Sequence, residues 1–438
     1  MNPATTIPLT KASTPALETI RPLANVRVFL PSVFFMAFGI RLVVRLYFGE
    51  EYFWRNSYSL FYGIAERLAA GVGLSYEWMG TKYAHRPPVY PALLAATTMF
   101  GRSYIAIVVL QSLIGAGTVL CAYFIGKELF DKTVGRLAAI GVAFYPYFVM
   151  HDTALQETGV FTFLTALSVL LLLKSRHSSS IAFAAGVALG LAILTRATLI
   201  GFVPLALLWV LLLSDRVRGQ AVRKTAAVSI GLMLVIAPWL VRNYVQIGTP
   251  TISTLSGLTL WAGNNPHTFS NYPNQSIDRS VNTAWSGLTP EEDAYIRSTD
   301  EVRQNAWFIN KALDYIQQHP KETVNRAFRK VAAGFSWSLN PRRERLVQVV
   351  YFLSYVPMLV MGIAGAWLAR RRWREYGLIA ALFLSFIIVT AIFFAHTSHR
   401  VFLDVYLIIF AAYAFHRIAA HYRVPEAPGE AAAGSLNA

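Results

Sequence analysis

Ser103–Lys127 reads SYIAIVVLQSLIGAGTVLCAYFIGK, with its only charge at the final lysine. As a helix this run is long enough to cross a bilayer, which takes about 20 predominantly apolar residues. Working outward from it, further apolar runs occupy roughly 27–48, 134–151, 154–174, 180–195, 197–213, 225–243, 346–369, 376–395 and 399–419. Together they predict about ten crossings and an all-α polytopic membrane protein. The composition agrees: of 438 residues, 55% are hydrophobic and 14% are charged, against about 25% charged in soluble domains. Cys121 is the only cysteine, which excludes an intrachain disulfide and a cysteine cluster for a metal. The run that starts near Val28 is long and lacks a clear small-residue cleavage site, so it reads as a retained span.

The net charge of +16 is gathered into short clusters between the apolar runs. That is the pattern of the positive-inside rule, not of a nucleic-acid-binding surface. Lys11, Arg21 and Arg27 precede the first span; Lys127, Lys132 and Arg136 flank one turn, and Lys174 and Arg176 another. Arg216, Arg218, Arg223 and Lys224 fill the loop 215–224, Arg370–Arg374 is strongly basic, and Arg417 and Arg423 follow the last span. With ten crossings all of these fall on one side. That side is assigned to the cytoplasm of a bacterial plasma (inner) membrane, with both termini on it.

The chain then divides into a cytoplasmic N-terminal segment (1–26), a transmembrane core (27–243) with a first outer loop (49–102), a large outer segment (244–345), C-terminal spans (346–420) and a disordered cytoplasmic tail (421–438). Within the first loop, 57–70 is predicted helical, with Glu66 and Arg67 as solvated or paired charges. Val89–Phe100 is apolar but too short to cross, and is expected to dip into the outer leaflet or pack beside other helices. In the large segment, Thr289-Pro290-Glu291 reads as an N-cap, a proline at the first helical position and an acidic first turn. Asn305–His319 has apolar residues at helical spacing. Glu322–Leu339 sets Arg326, Arg329 and Lys330 against Val324, Phe328 and Val331, the pattern of a helix near the membrane surface. No internal repeat is evident.

The first outer loop holds HRPPVYP at His85–Pro91. Each proline fixes its own φ and restricts the residue before it, so the backbone at Arg86 is stiff. Such a corner either starts a helix or holds a cation in place, for instance against a phosphate. On the same predicted face lie Arg196, Arg242, Arg342, Arg343, His399 and Arg400. Outer arginines run against the inside bias, and anionic head groups, phosphates or paired carboxylates would each account for them. Arg400 either pairs with Asp404 one turn on or faces a ligand. Among carboxylates, Glu157 either caps the helix that follows it or stands at the outer mouth of the bundle with Asp152. Glu50 and Glu51 are either ordinary flanking charges or part of that mouth. No Walker loop, dinucleotide glycine motif or HExxH is present, and the scattered histidines show no metal-ligand spacing.

These segments, in this order, resemble the GT-C glycosyltransferases. The likeness is to the branch with the dolichyl-phosphate-mannose protein mannosyltransferases and the aminoarabinose transferase of lipid A. The resemblance spans roughly residues 28–420. It is carried by IAERLAAGVGL (Ile64–Leu74), HRPPVYPALLAA (His85–Ala96), FYPYFVMHDTALQET (Phe144–Thr158), GVALGLAILTR (Gly186–Arg196), APWLVRNYVQIGT (Ala237–Thr249) and LWAGNNP (Leu260–Pro266). The resemblance implies a sugar taken from a polyprenyl-phosphate carrier and passed to a lipid, glycan or protein acceptor at the extracytoplasmic face. It matches Arg86 to a residue that holds the carrier phosphate, Glu157 to an acidic position of the second outer loop, and Arg400 to a basic position at the start of the last span.

One departure stands out. The family pattern implies an aspartate where this chain has Asn56-Ser57, and an amide cannot act as a general base. Glu51, Glu50, Asp152 or Glu157 then supplies the carboxylate, or the chain is not catalytic. The expected site is therefore Glu51, Asp152 and Glu157 as acid–base candidates. Asn56, His85, Arg86, Arg196, Arg242, Asn264, Asn265, His399 and Arg400 are expected to bind substrate, and Trp261 stands beside the two asparagines in a lid or acceptor platform. Transfer in a single displacement would invert the anomeric carbon. No cofactor is implied; a divalent cation, Mg or Mn, is compatible with the chemistry. The alternatives are a transporter or flippase of lipid-linked sugar, disfavoured by the lack of a repeat, and a non-catalytic scaffold of a glycan assembly complex.

Overall fold

The computed structural model describes residues 25–56, 58–213 and 217–422. Lys11, Arg21, Ser57, Arg216, Arg423 and the predicted tail lie outside them.

Helix α1 (Val26–Arg55) opens with Asn25 as N-cap, its side chain accepting the Arg27 N–H, and bends at Gly49, whose φ of 75° suits a glycine. Helix α2 (Ser59–Ala69) follows. After it come two short antiparallel strands, β1 (Tyr76–Glu77) and β2 (Thr81–Lys82), in register Tyr76↔Lys82, and then α3 (Val89–Ala95). The bundle continues with α4 (Tyr104–Leu129), α5 (Lys132–Phe144), α6 (Pro146–Asp152), α7 (Thr158–Lys174), α8 (Ser179–Ile193), α9 (Val203–Leu213) and α10 (Arg218–Ile247). The large outer segment holds α11 (Ser256–Gly263), α12 (Ser280–Trp285), α13 (Pro290–Ser298), α14 (Glu301–Gln318) and α15 (Pro320–Gly334). Three long helices, α16 (Arg345–Leu368), α17 (Trp373–Ile392) and α18 (Thr397–Tyr422), complete the chain.

All ten apolar runs are helical, but among the described residues seven helices are long and apolar enough to cross a membrane, or eight if α5 and α6 count as one bent span. The α5–α6 bend is 59°. Pro146 has no N–H to give, and Tyr145 before it is extended, so the run 134–151 breaks there. The runs 180–195 and 197–213 form the shorter helices α8 and α9, joined through an extended Arg196 and a 3-10 turn over Ala197–Phe202.

Even so, these two carry the chain from one end of the bundle to the other and back. Before α8, Arg176 pairs with Glu128 at 3.4 Å and its carbonyl accepts from Lys224 Nζ at 2.6 Å. At the far end of α8, Arg196 pairs with Glu157 at 2.9 Å. After α9 has returned, Trp209 Nε1 donates to the Arg374 carbonyl at 3.2 Å. The basic turns thus gather at one end: His416 also reaches Asp131 there at 3.6 Å, and Arg372 lies over the Phe130 ring.

Close helix contacts depend on small residues, as expected where lipid gives no hydrophobic drive between helices. A Cβ on Gly186 of α8 would lie 2.0 Å from the Val228 carbonyl of α10, and one on Gly231 2.2 Å from the Phe183 carbonyl. The large outer segment has a core of its own around Trp261, Ile296, Phe308 and Ala312. Helix α13 begins as the sequence predicts. Thr289 Oγ1 accepts the Glu292 N–H while the Glu292 carboxylate accepts the Thr289 N–H, a reciprocal capping box. The predicted helix 322–339 starts earlier, with Pro320 at its first turn, and stops at Gly334.

Candidate active site

The non-basic end of the bundle brings several predicted residues together. Glu157 stands at the N-cap position of α7, yet its carboxylate does not cap the helix. It accepts instead from Arg196 Nε at 3.2 Å and Nη2 at 2.9 Å, and the same Nη2 donates to Thr158 Oγ1 at 3.0 Å. Arg196 lies over the Phe161 ring, one turn into α7. Burial pushes the Glu157 carboxyl up, but Arg196 and then Arg86 outweigh it and hold the group below its ordinary value. Arg86 thus belongs to the same cluster. Its guanidinium lies 5.4 Å from the centre of the Phe61 ring, and its Nε is buried with no hydrogen-bond partner among the described residues.

The segment leading to Arg86 is clamped from three sides. Glu301, at the start of α14, accepts the Tyr83 N–H at 2.7 Å, the Ala84 N–H at 3.3 Å on each oxygen, and the Thr254 hydroxyl at 2.6 Å. Arg242 donates to the Tyr83 carbonyl at 2.6 Å and the Leu74 carbonyl at 3.0 Å. Ser253 Oγ donates to the His85 carbonyl at 2.7 Å, and the Val89 N–H reaches the Leu194 carbonyl at 3.0 Å. Arg242 therefore positions the loop through backbone carbonyls. His85 is buried against Tyr76 and Trp78, and burial, with Arg86 and Lys82 beside it, lowers its pKa to about 3. It is a neutral packing group next to Arg86.

Asn264 and Asn265 are buried and fully engaged. Asn264 Nδ2 donates to the Leu260 and Ile392 carbonyls, both at 2.9 Å, and its Oδ1 accepts from Lys330 at 3.2 Å. Asn265 Nδ2 donates to the Trp261 carbonyl at 2.7 Å, its Oδ1 accepts the His267 N–H at 2.7 Å, and its carbonyl accepts from Arg326. Asn264 fastens α11 to the C-terminal end of α17 and to α15, and Asn265 fastens it to α15. His399 stacks on His396 with ring centres 3.9 Å apart. Arg400 takes the structural alternative: fully buried, it pairs with Asp404 at 2.6 Å, donates to Tyr351 Oη at 2.9 Å and to the Gly334 carbonyl at 3.1 Å, and lies over the Tyr355 ring.

The carboxylates separate cleanly. Asp152 is buried against Arg41 Nε at 2.8 Å, between Gly115 and Gly159, and so lies within the bundle packing. Glu51 is 91% exposed and, among the described residues, pairs only with Arg55, at 3.7 Å. Asn56 closes α1, its side chain donating to the Tyr52 carbonyl at 3.2 Å. Neither is brought to Glu157.

Asp278, which the motif reading passes over, comes to the cluster from the large outer segment. It lies on a 3-10 turn pinned by buried Ile277, two residues before Ser280, whose hydroxyl donates to the Ala262 carbonyl at 3.1 Å. Its own side chain is exposed and has no ion pair among the described residues. Burial, then the charges of Asp278 and Glu157, raise the pKa of the Tyr58 hydroxyl, with Arg86 and Arg196 opposing. Tyr58 is tied in turn to the Glu157 loop, its N–H donating to the Leu155 carbonyl at 3.2 Å. Among the described residues no three His, Cys, Asp or Glu side chains gather into a metal-binding group.

Residues 85–241 match the family model of dolichyl-phosphate-mannose-protein mannosyltransferases. No curated protein matches the chain in sequence. Among solved structures, it resembles the oligosaccharyltransferase AglB of the archaeon Archaeoglobus fulgidus in complex with an inhibitory peptide and a dolichol-phosphate. That likeness has 14% identity and a TM-score of 0.54, covering 90% of this chain and 51% of AglB. The same enzyme tethered to an acceptor peptide with the NVT sequon gives 14% identity and a TM-score of 0.52, covering 90% and 50%. ArnT from Cupriavidus metallidurans bound to undecaprenyl phosphate gives 16% identity and a TM-score of 0.37, covering 83% and 75%. The chain spans about half the length of AglB, and at this identity the likeness is one of fold.

Proposed function

We propose that this chain, an integral membrane protein with the GT-C glycosyltransferase fold, transfers a sugar from a polyprenyl-phosphate carrier to a lipid, glycan or protein acceptor at the face opposite its basic turns. That face is taken as extracytoplasmic, with the basic turns and both termini in the cytoplasm of the plasma membrane. The observation that carries the reading is Arg86. It is a cation on a proline-stiffened corner, with a buried Nε that no group among the described residues satisfies. A guanidinium held so is suited to an oxyanion, which it can meet with two parallel N–H groups.

The chemistry follows from the groups around it. The acceptor oxygen bonds to the anomeric carbon as its proton passes to a carboxylate. The bond from the anomeric carbon to the phosphate oxygen breaks, and its electron pair stays on the phosphate. Arg86 and Arg196 stabilise the charge gathering there. One displacement inverts the anomeric centre. Asp278, open and unpaired among the described residues, is the base. Glu157, doubly bonded to Arg196, orients that arginine and limits the net positive charge of the site. The metal dependence follows from the same assay run with and without Mg or Mn.

The test is sugar transfer by purified protein in lipid, with a panel of polyprenyl-phosphate sugars and a membrane extract as acceptor. Wild type is compared with Arg86→Gln, Glu157→Gln and Asp278→Asn. Transfer by wild type, lost in folded Arg86→Gln and Asp278→Asn, is the expected result. Movement of intact lipid-linked sugar across the bilayer without transfer would instead mark a flippase. Donor binding without either would mark a scaffold.

A further inference from the structure

Helix α15 has two unlike faces. Its inner stripe is locked to the protein: Arg326 holds the Asn265 and Pro266 carbonyls, and Lys330 Nζ donates to Asn264 Oδ1 and, at 3.0 Å, to the Ile392 carbonyl. Its C-terminal end is sunk into the bundle. Gly334 sits against Ala395 and the Phe386 ring, and the rings of Phe335 and Phe386 are 5.6 Å apart. Phe386 is about 9 Å inside the end of α17 at 1.5 Å per residue. The end of α15 therefore lies at the depth of a membrane-spanning helix, not above it.

The outer stripe has no partner among the described residues. Val324 and, one turn on, Phe328, which is 73% exposed, point away from the protein. Trp337, 71% exposed, continues the stripe, because the neighbouring Ser336 carbonyl accepts from Tyr351 Oη at 2.9 Å and sets this segment beside the first turns of α16. Leu346, Val349 and Val350 are likewise exposed on those turns of α16. The apolar stripe is thus continuous with the lipid-facing surface of a span. Along it run Lys321, Arg342, Arg343 and Arg345, all exposed and without an ion pair among the described residues. The nearby Glu322 is already taken by Arg326 at 2.6 Å and by Tyr315 Oη. These cations stand at the end opposite the basic turns, where the inside bias does not account for them.

We propose that this face docks on anionic phospholipid headgroups of the leaflet at that end. Val324, Phe328 and Trp337 enter the acyl boundary, and Lys321, Arg342, Arg343 and Arg345 meet the phosphates. The large outer segment is then seated on the bilayer at a fixed height through α15. The proposal stands on α15 and its surroundings, independently of the transfer reaction.

Two measurements test it. In the first, a fluorophore is placed on Phe328→Cys in a Cys121→Ala background, in nanodiscs of phosphatidylcholine and phosphatidylglycerol. Quenching by lipids with a nitroxide high on the acyl chain should exceed quenching by iodide several-fold; the reverse order overturns the seat. In the second, detergent-solubilised wild type is heated with increasing phosphatidylglycerol or phosphatidylcholine, beside a variant with Lys321, Arg342, Arg343 and Arg345 all changed to Gln. Phosphatidylglycerol should raise the unfolding temperature of wild type, through binding to the folded state, and leave the variant near its phosphatidylcholine value. An equal shift in both proteins, or none in wild type, overturns the headgroup contact.

Discussion

Replacing Glu301 should loosen the site without touching a residue that meets substrate. The carboxylate is buried and satisfies three donors: two backbone N–H groups, of Tyr83 and Ala84, and the Thr254 hydroxyl at 2.6 Å. Truncation to Ala leaves all three without an acceptor. At about 1–3 kcal/mol for each buried unsatisfied group the ceiling is about 3–9 kcal/mol. Water entry and local relaxation bring the expected loss to about 3–5 kcal/mol, the range for removing one partner from a buried charged contact. Glu301→Gln keeps the shape and one acceptor oxygen but turns an NH2 toward a donor, so its cost should be about 1–3 kcal/mol. The functional consequence lies two residues on. Tyr83 and Ala84 lead directly into His85-Arg86, and a shift of about 1 Å in a positioning group can cost about 100-fold in rate. Glu301→Gln in lipid should therefore lower kcat/KM for the donor about 10-fold or more, with the acceptor KM unchanged. Glu301→Asp should recover part of the loss. Thermal unfolding of the same samples gives the stability arm. A Glu301→Gln protein with wild-type unfolding temperature and wild-type donor kcat/KM would refute the clamp.

Gly115→Ala should destabilise the bundle by several kcal/mol, because the new Cβ would lie 2.6 Å from Asp152 Oδ2 and 2.7 Å from Arg41 Nε in a buried ion pair; thermal unfolding beside Gly39→Ala, where a Cβ meets nothing within 4 Å, gives the comparison. Glu157 is held below its ordinary value, so the stability it contributes is present above the usual carboxylate range and is lost as the pH falls through the lowered folded value. Unfolding temperature measured from pH 7 downward should accordingly fall less steeply in Glu157→Gln than in wild type. Burial lowers the Lys330 pKa from 10.5 to about 8. The unfolded chain then binds more protons between those values, and stability should rise with pH across that window. Lys330→Met should flatten the rise, and an unchanged alkaline limb would contradict the assignment.

How far the sequence carries this picture depends on where each residue's partner lies. Apolar runs depend on their own composition, and all ten are helical; the capping box at Thr289–Glu292 and the helix over 305–319 are equally local. The stopping points of α5 and α8 are less so. Pro146 gives a visible break, but at Arg196, which pairs with Glu157 of the neighbouring helix, no residue announces one. Charged residues are harder still, because the same arginine type serves opposite purposes according to what faces it. Arg400 finds Asp404 on its own helix, so sequence spacing offers that pairing among its alternatives. Arg242 finds the carbonyls of Tyr83 and Leu74, which no local pattern announces. Arg196 finds Glu157, whose position suggests a cap instead. Glu301 and Asp278 carry no motif, since one acts through backbone N–H groups far along the chain and the other matters for being left unpaired among the described residues. The unsatisfied Nε of Arg86 becomes visible only once its neighbours in the fold are placed around it. What sets Arg86 apart is therefore its surroundings: the prolines that stiffen its backbone are local, but the clamp by Glu301, Arg242 and Ser253 that aims it is assembled from three separate parts of the chain.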